Sequence, residues 1–98
     1  RQYLAERMPF VQSAFQIDVW LELPLEEARR WLAWWRVGLE AEGAGTRLRC
    51  GRDQLEMFAA HLLSLECRIV VHAPGELRAT FQRFAARAEA AAAAAGGS

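Results

Sequence analysis

The residues best suited to chemistry are two cysteines and two histidines, and their spacing does not form a site. Cys50, His61, Cys67 and His72 supply the thiol and imidazole groups, but no two of them stand at CxxC or HxxxH spacing. Cys67 and His72 fall on one predicted strand and point to opposite faces, because side chains alternate along a strand. We therefore expect neither a metal site nor a bound cofactor.

Catalysis by side chains is disfavoured as well. No serine or cysteine lies beside a plausible base, and the carboxylates are spread over separate predicted elements. The sequence therefore predicts a protein that is not an enzyme and that acts through its surfaces.

Composition limits the class of protein. The chain has 98 residues, enough for one domain with a single core. Twelve arginines balance twelve acidic residues, which argues against free-standing nucleic-acid binding, since that usually shows a basic excess. No run approaches the roughly 18 apolar residues of a membrane span, no signal peptide is visible, and two cysteines are too few for a disulfide framework. We expect a cytoplasmic protein without a membrane segment, with both cysteines as free thiols.

These residues must be positioned by a sheet whose centre is the stretch Phe15–Leu23. Apolar residues alternate with polar ones along it. The predicted buried side holds Phe15, Ile17, Val19, Leu21 and Leu23. A strand with one buried and one polar face is typical of an antiparallel sheet that carries helices on one side only.

The next residues predict a helix that begins at Pro24. Its buried stripe follows helical spacing and consists of Leu25, Ala28, Leu32 and Trp35. Trp31 lies at the border of that stripe. Trp34 is predicted on the opposite, polar face, where a tryptophan is unusual.

A hairpin is predicted after this helix, with strands Arg36–Glu42 and Thr46–Cys50 around Gly43-Ala44-Gly45. A four-residue loop would set two acids directly opposite two arginines. The predicted pairs are Glu42 with Arg47 and Glu40 with Arg49.

Two more helices and one strand complete the pattern. Asp53 followed by Glu56 predicts a capping box at the start of the second helix, and Cys67–His72 predicts the fourth strand. The second helix is predicted to bury Leu55, Phe58, Ala59, Leu62 and Leu65. The third helix begins at Glu76 and has a stripe of Leu77, Phe81, Phe84, Ala85 and Ala88.

This order of elements predicts an α+β fold. With right-handed crossovers, its commonest form is the ferredoxin-like βαββαβ sandwich: a four-stranded antiparallel sheet of order 4-1-3-2, two helices on one face and an extra C-terminal helix. We predict a linker from a missing upstream domain at residues 1–14, the domain at 15–89 and an Ala/Gly-rich tail at 90–98.

Two surfaces are candidates for binding. On the open face of the sheet, guanidinium groups and one indole ring could take a nucleotide or a short single strand, although neighbouring acids neutralise them. This candidate effector face consists of Trp20, Arg47, Arg49, Arg68 and His72. On the helical side, exposed apolar residues indicate contact with protein. This candidate interface consists of Trp34, Met57, Ala60, Phe81 and Phe84.

One family resemblance is carried by LPLEEARRWLAWW, by the hairpin with its glycines, and by DQLEMFAAHLLSLECRIVVHAPGELRATF. Over about Val19–Arg87 the chain resembles the C-terminal extension (WCX) domain of bacterial WYL-type transcriptional regulators. The resemblance implies a ferredoxin-like module that helps to sense an effector and helps subunits to associate. Glu66 departs from the family, which often has glycine between this helix and strand.

Two functions therefore remain open. The first is a regulatory module of a transcription factor, without a DNA-reading element in this chain, which forms a homodimer or docks on its own upstream WYL domain. The alternative is an effector-binding module that takes a nucleotide or short single-stranded nucleic acid on its open sheet face.

Overall fold

The computed structural model describes residues 13–96 and is an α+β domain with four strands and three helices. The elements are β1 (Phe15–Leu21), α1 (Leu25–Leu32), β2 (Gly38–Glu42), β3 (Gly45–Arg52), α2 (Leu55–Leu63), β4 (Ile69–Ala73) and α3 (Gly75–Gly96). One antiparallel sheet contains all four strands in the order β2-β3-β1-β4, which reads 4-1-3-2 from the β4 edge. The predicted linker, residues 1–14, lies outside the described residues apart from Ser13 and Ala14.

The sheet is built around β1, as its alternating pattern predicts. Ile17, Val19 and Leu21 are at most 2% exposed, and they point to the same side. Val19 lies opposite Leu48 of β3 and opposite Val71 of β4, so β1 has a neighbour on each edge. A central strand of this kind fixes the register of the whole sheet, since a slip by one residue would expose its apolar side.

All three helices contribute to one core on that side of the sheet. The buried apolar residues are Ile17, Val19, Leu21 and Leu48 from the strands, Ala28 and Leu32 from α1, Leu55, Phe58, Ala59 and Leu62 from α2, and Leu77 from α3. Phe81 and Phe84 of α3 are only partly buried against this core. The predicted stripe of α3 is covered only in part, because Ala85 and Ala88 at its C-terminal end are exposed.

The hairpin has a shorter turn than the sequence predicts. Glu42 lies opposite Gly45, and Glu40 lies opposite Arg47, so only Gly43 and Ala44 form the loop. Gly43 has φ of +61°, a conformation that two-residue hairpin turns need and that glycine adopts at little cost. The predicted pairing of Glu42 with Arg47 and of Glu40 with Arg49 directly across the strands is therefore wrong, because the observed register differs by two residues.

Helix α1 ends earlier than its apolar pattern suggests. It stops at Leu32, and the backbone N–H of Trp35 donates to the Leu32 carbonyl in the turn that follows. Arg36 then takes a left-handed conformation with φ of 56° and reverses the chain toward β2. Trp34 and Trp35 therefore belong to this turn, and the predicted position of Trp34 on the polar face of the helix is wrong.

Three other boundaries differ from the prediction. Helix α2 begins after Gln54, and Asp53 accepts a hydrogen bond from the backbone N–H of Ala14 (2.8 Å), so the predicted capping box is wrong. Strand β4 begins at Ile69, two residues after Cys67. Helix α3 continues through the alanine run to Gly96, because alanine has the highest helix propensity.

Candidate functional site

The open face of the sheet is organised around Asp18 on β1. Its carboxylate accepts two hydrogen bonds from Arg47 of β3, from Nε at 2.5 Å and from Nη2 at 3.1 Å. Arg49 Nε lies 3.6 Å from the same carboxylate. Asp18 and Arg47 are 27% and 19% exposed, so both are half-buried on a face otherwise open to solvent. This cross-strand pair is the fixed centre of the face.

The outer acids of the hairpin complete the pairing. Arg47 Nη1 donates to both carboxylate oxygens of Glu42, at 2.9 and 3.1 Å, and Arg49 lies 3.8 Å from Glu40. The two predicted ion pairs are therefore present, but they run diagonally because the turn is shorter. The hydrogen bond from Arg47 is the main cause that lowers the pKa of Asp18, and the charges of Arg49 and His72 act in the same direction. Hydrogen bonds to Asp18 and Glu42 raise the pKa of Arg47 in turn.

Trp20 is also held in place on this face. Its indole Nε1 donates to the Glu42 carbonyl at 2.9 Å, which ties β1 to the hairpin turn. Gly45 lies beneath the ring, because a Cβ built there would lie 2.6 Å from the Trp20 ring and 2.1 Å from the Leu21 carbonyl oxygen. The ring is therefore packed down on the backbone and is not a free platform for stacking a base.

The candidate effector face is thus assembled only in part. Trp20, Arg47 and Arg49 come together, and exposed His72 on β4 is close enough for its charge to act on Asp18, whereas Arg68 precedes β4. Arg47 and Arg49 already have carboxylate partners. A phosphate would have to displace those carboxylates, so the geometry favours a structural role for this charge cluster.

On the helical side, the structure brings the first two residues of the candidate interface together. Trp34 is 83% exposed and Met57 is 62% exposed, and both line one groove of about 550 Å³ between the α1–β2 turn and α2. We call it the aromatic groove, and its other lining residues are Trp35, Arg52, Asp53, Gln54, Phe58 and His61.

The floor of the aromatic groove is a packed cluster of rings. The Trp35 ring lies 5.3 Å from Phe58 and 4.8 Å from His61, measured between centroids. The guanidinium of Arg52 lies 5.3 Å from the centroid of Phe58 and also donates to the Trp35 carbonyl. No sequence pattern predicts the place of Arg52, because the helix and hairpin patterns give no sign that the end of β3 reaches the α1–β2 turn. Rigid rings beneath a free Trp34 suit a surface that binds protein.

Two further apolar residues of the helices are exposed but do not line this groove. Ala60 is exposed on the outer face of α2, as predicted. Trp31, predicted at the border of the buried stripe, is 58% exposed on α1. The helices therefore expose more large apolar side chains than the predicted interface residues alone.

Phe81 and Phe84 lie elsewhere, in a second groove of about 610 Å³ between β4 and α3. We call it the β4–α3 groove. Its apolar walls are formed by Leu63, Cys67, Ile69, Val71, Phe81, Phe84, Ala85 and Ala88, and its polar lining residues are Arg78 and Gln82. The predicted interface is therefore two separate grooves.

The two cysteines are free thiols on different parts of the apolar side. Burial raises the pKa of Cys50 to about 11, and burial also raises the pKa of Cys67, which lines the β4–α3 groove. Within residues 13–96, no three His, Cys, Asp or Glu side chains gather closely enough to hold a metal ion. In the same range no helix is long and apolar enough to cross a membrane.

Comparison with known proteins gives no further assignment. No family model, no curated protein and no solved structure matches the chain.

Proposed function

We propose that this chain is a ferredoxin-like regulatory domain, the C-terminal extension (WCX) domain of a cytoplasmic WYL-type transcriptional regulator. It contributes to subunit association, as a homodimer or by docking on its own upstream WYL domain, and to effector sensing. The resemblance over Val19–Arg87 supports the family. The order of strands and the packing of helices on one side of the sheet support the ferredoxin-like topology.

The observation that carries the association role is the exposure of Trp34 and Met57 on one groove. Large apolar side chains lose little on desolvation, and a contiguous patch of them is typical of surfaces that bind protein. The open sheet face is a poorer candidate, because stripping water from Asp18, Arg47 and Arg49 costs more than their pairing returns. The alternative function on that face finds no comparable support.

The test compares the two adjacent tryptophans of the α1–β2 turn. Trp34→Ala should weaken self-association, or docking on the upstream domain of the same gene product, in sedimentation experiments. It should change the free energy of unfolding by less than about 0.5 kcal/mol, because the side chain is exposed. Trp35→Ala is the matched variant, and it should cost about 2–3 kcal/mol because half-buried Trp35 packs on Phe58 and His61.

Two results would contradict the proposal. If Trp34→Ala melts as early as Trp35→Ala, then Trp34 contributes to the fold and is not a free contact. If association is unchanged in Trp34→Ala, the aromatic groove is not the interface. Binding of a short labelled oligonucleotide that weakens between two salt concentrations would favour the sheet-face alternative.

A further inference from the structure

The β4–α3 groove has a long apolar shape with polarity near one end. Along α3, successive turns supply Arg78, Gln82, Ala85 and Ala88, so this wall is about 15 Å long at 1.5 Å per residue. The facing wall consists of half-buried side chains of β4 and the segment before it, and Leu63 at the end of α2 is 50% exposed. A ligand of matching length would remove these apolar atoms from water.

Of the described residues that line this groove, Arg78 alone carries a charge. Its Nη1 donates to the Val71 carbonyl at 2.6 Å, which holds the guanidinium against the β4 wall. Within residues 13–96 it has no ion-pair partner, unlike Arg47, Arg49 and Arg83. A guanidinium has five N–H donors in a fixed fork, so the remaining donors of Arg78 can bind a carboxylate.

We propose that the β4–α3 groove binds an amphiphilic carboxylate, with a medium-length alkyl chain between β4 and α3 and the carboxylate on Arg78. Charge complementarity selects this class: one cation near the end of an apolar groove fits one anion at the end of an apolar chain. Gln82 lies one helical turn after Arg78 on the same face, and its amide can donate a second hydrogen bond. The groove volume of about 610 Å³ is in the range of small-molecule sites.

A protein strand is a poorer occupant. Strand β4 is an edge of the sheet, and an added strand would need its free backbone groups. Arg78 already occupies the Val71 carbonyl and stands where that strand would pair. An amphiphilic carboxylate would be the effector of the proposed function, so its regulatory role rests on that function. Its binding to the groove can be measured independently.

The first experiment titrates the 98-residue chain with decanoate, decan-1-ol and decylammonium by calorimetry at pH 7, below micelle formation. Decanoate should bind best, because it alone can pair with Arg78. Arg78→Gln should weaken decanoate binding about tenfold, the effect of losing one charge-assisted hydrogen bond, and should leave decan-1-ol unchanged. Arg29→Gln, which removes an exposed arginine of α1, is the control and should bind decanoate as the parent does.

The second experiment locates the ligand. Ala85→Trp fills the groove at an exposed position and should abolish decanoate binding, whereas Ala86→Trp, outside the groove, should not. Bound decanoate should also slow alkylation of Cys67, which lines the groove. Trp34→Ala changes the aromatic groove and should still bind decanoate. A negative result in the association test therefore does not contradict ligand binding in the β4–α3 groove.

Three outcomes would overturn the proposal. Equal affinity for decanoate and decan-1-ol, or no effect of Arg78→Gln, would show that no carboxylate is recognised. Unchanged binding in Ala85→Trp would place the ligand elsewhere. Conversion of a dimer to a monomer by Ala85→Trp would show that a second copy of the chain occupies the groove.

Discussion

On the open face of the sheet, Arg47 bonds to Asp18 and to Glu42, whereas on the helical side Trp34 and Met57 lie against solvent. On the polar face, the charges of Asp18, Arg47 and Glu42 are paired within the domain, and the Trp20 ring is fixed by a hydrogen bond. On the apolar side, the large side chains of Trp34 and Met57 are mostly exposed. Charge density alone would indicate the sheet face as the binding surface. The contacts favour the helical side instead.

The difference follows from what each surface gains by meeting a partner. A charge that already has a close opposite charge must be desolvated together with that partner, and new contacts seldom repay the cost. An exposed indole gives up only its one N–H hydrogen bond to water, and a thioether sulfur is a weak acceptor, so their desolvation costs little. The two grooves of the helical side therefore offer more binding energy than the charged sheet face does.

The variant with the largest expected effect is Gly45→Ala, which tests whether the sheet face is as rigid as its contacts suggest. Gly45→Ala should lower the free energy of unfolding by about 3 kcal/mol, because the new Cβ would overlap the Leu21 carbonyl and the Trp20 ring. Gly38→Ala is the matched control on the same hairpin, since its nearest atom would be 3.4 Å away. Chemical denaturation of both variants makes the comparison. A loss in Gly45→Ala no larger than in Gly38→Ala would show that the Trp20 ring and the backbone at Leu21 both shift, and that the face can adapt to a ligand.

A smaller effect is expected from Asp18, the carboxylate at the centre of the charge cluster. Asp18→Asn should destabilise the domain by about 1 kcal/mol at pH 7, since Arg47 and Arg49 lose their shared partner. Glu22→Gln, which changes an exposed acid just after β1, is the control and should cost less than about 0.5 kcal/mol.

The parent chain and Asp18→Asn should also differ in how the free energy of unfolding depends on pH. The pKa of Asp18 is lowered in the folded state from an ordinary value of 3.8, so its contribution to stability is present above 3.8 and is lost as the pH falls through the lowered value. Denaturation curves between about pH 5 and pH 2 should therefore show the parent and Asp18→Asn converging in acid. A gap that stays constant with pH would mean that the cluster does not depend on the Asp18 charge.

Long-range patterns of the fold could be predicted from the sequence, because they depend on burial of one face. The alternation in Phe15–Leu21 and the stripe of α2 each have a single arrangement that buries their apolar residues. The order of strands could be predicted as well, because few arrangements with right-handed connections join elements in this sequence. The exposure of Trp34 was also predicted, although the helix that was expected to present it ends before it.

Local backbone geometry and long-range contacts of single side chains could not be predicted. A two-residue and a four-residue loop around Gly43-Ala44-Gly45 use the same residues, and only the backbone conformation at Gly43 separates them. Arg36 adopts a left-handed conformation that its residue type does not favour, so the end of α1 carried no signal. The groove near Arg78 depends on how far α3 diverges from β4, which no pattern within one element reports.

The two thiols allow a direct comparison of the packed sheet, which holds Cys50, with the β4–α3 groove, which Cys67 lines. At pH 8 a small disulfide reagent should modify Cys67 at least about tenfold faster than Cys50, because the thiolate is the reactive form and burial raises the pKa of Cys50 to about 11. Burial also raises the pKa of Cys67, but this thiol is less buried and lines the β4–α3 groove, so the reagent reaches it more easily. Cys50→Ser and Cys67→Ser assign the two phases, and in denaturant both thiols of the parent chain should react together. If Cys50 reacts first in the folded protein, the sheet opens more readily than the groove, and the contrast between a closed sheet and an accessible helical side does not hold.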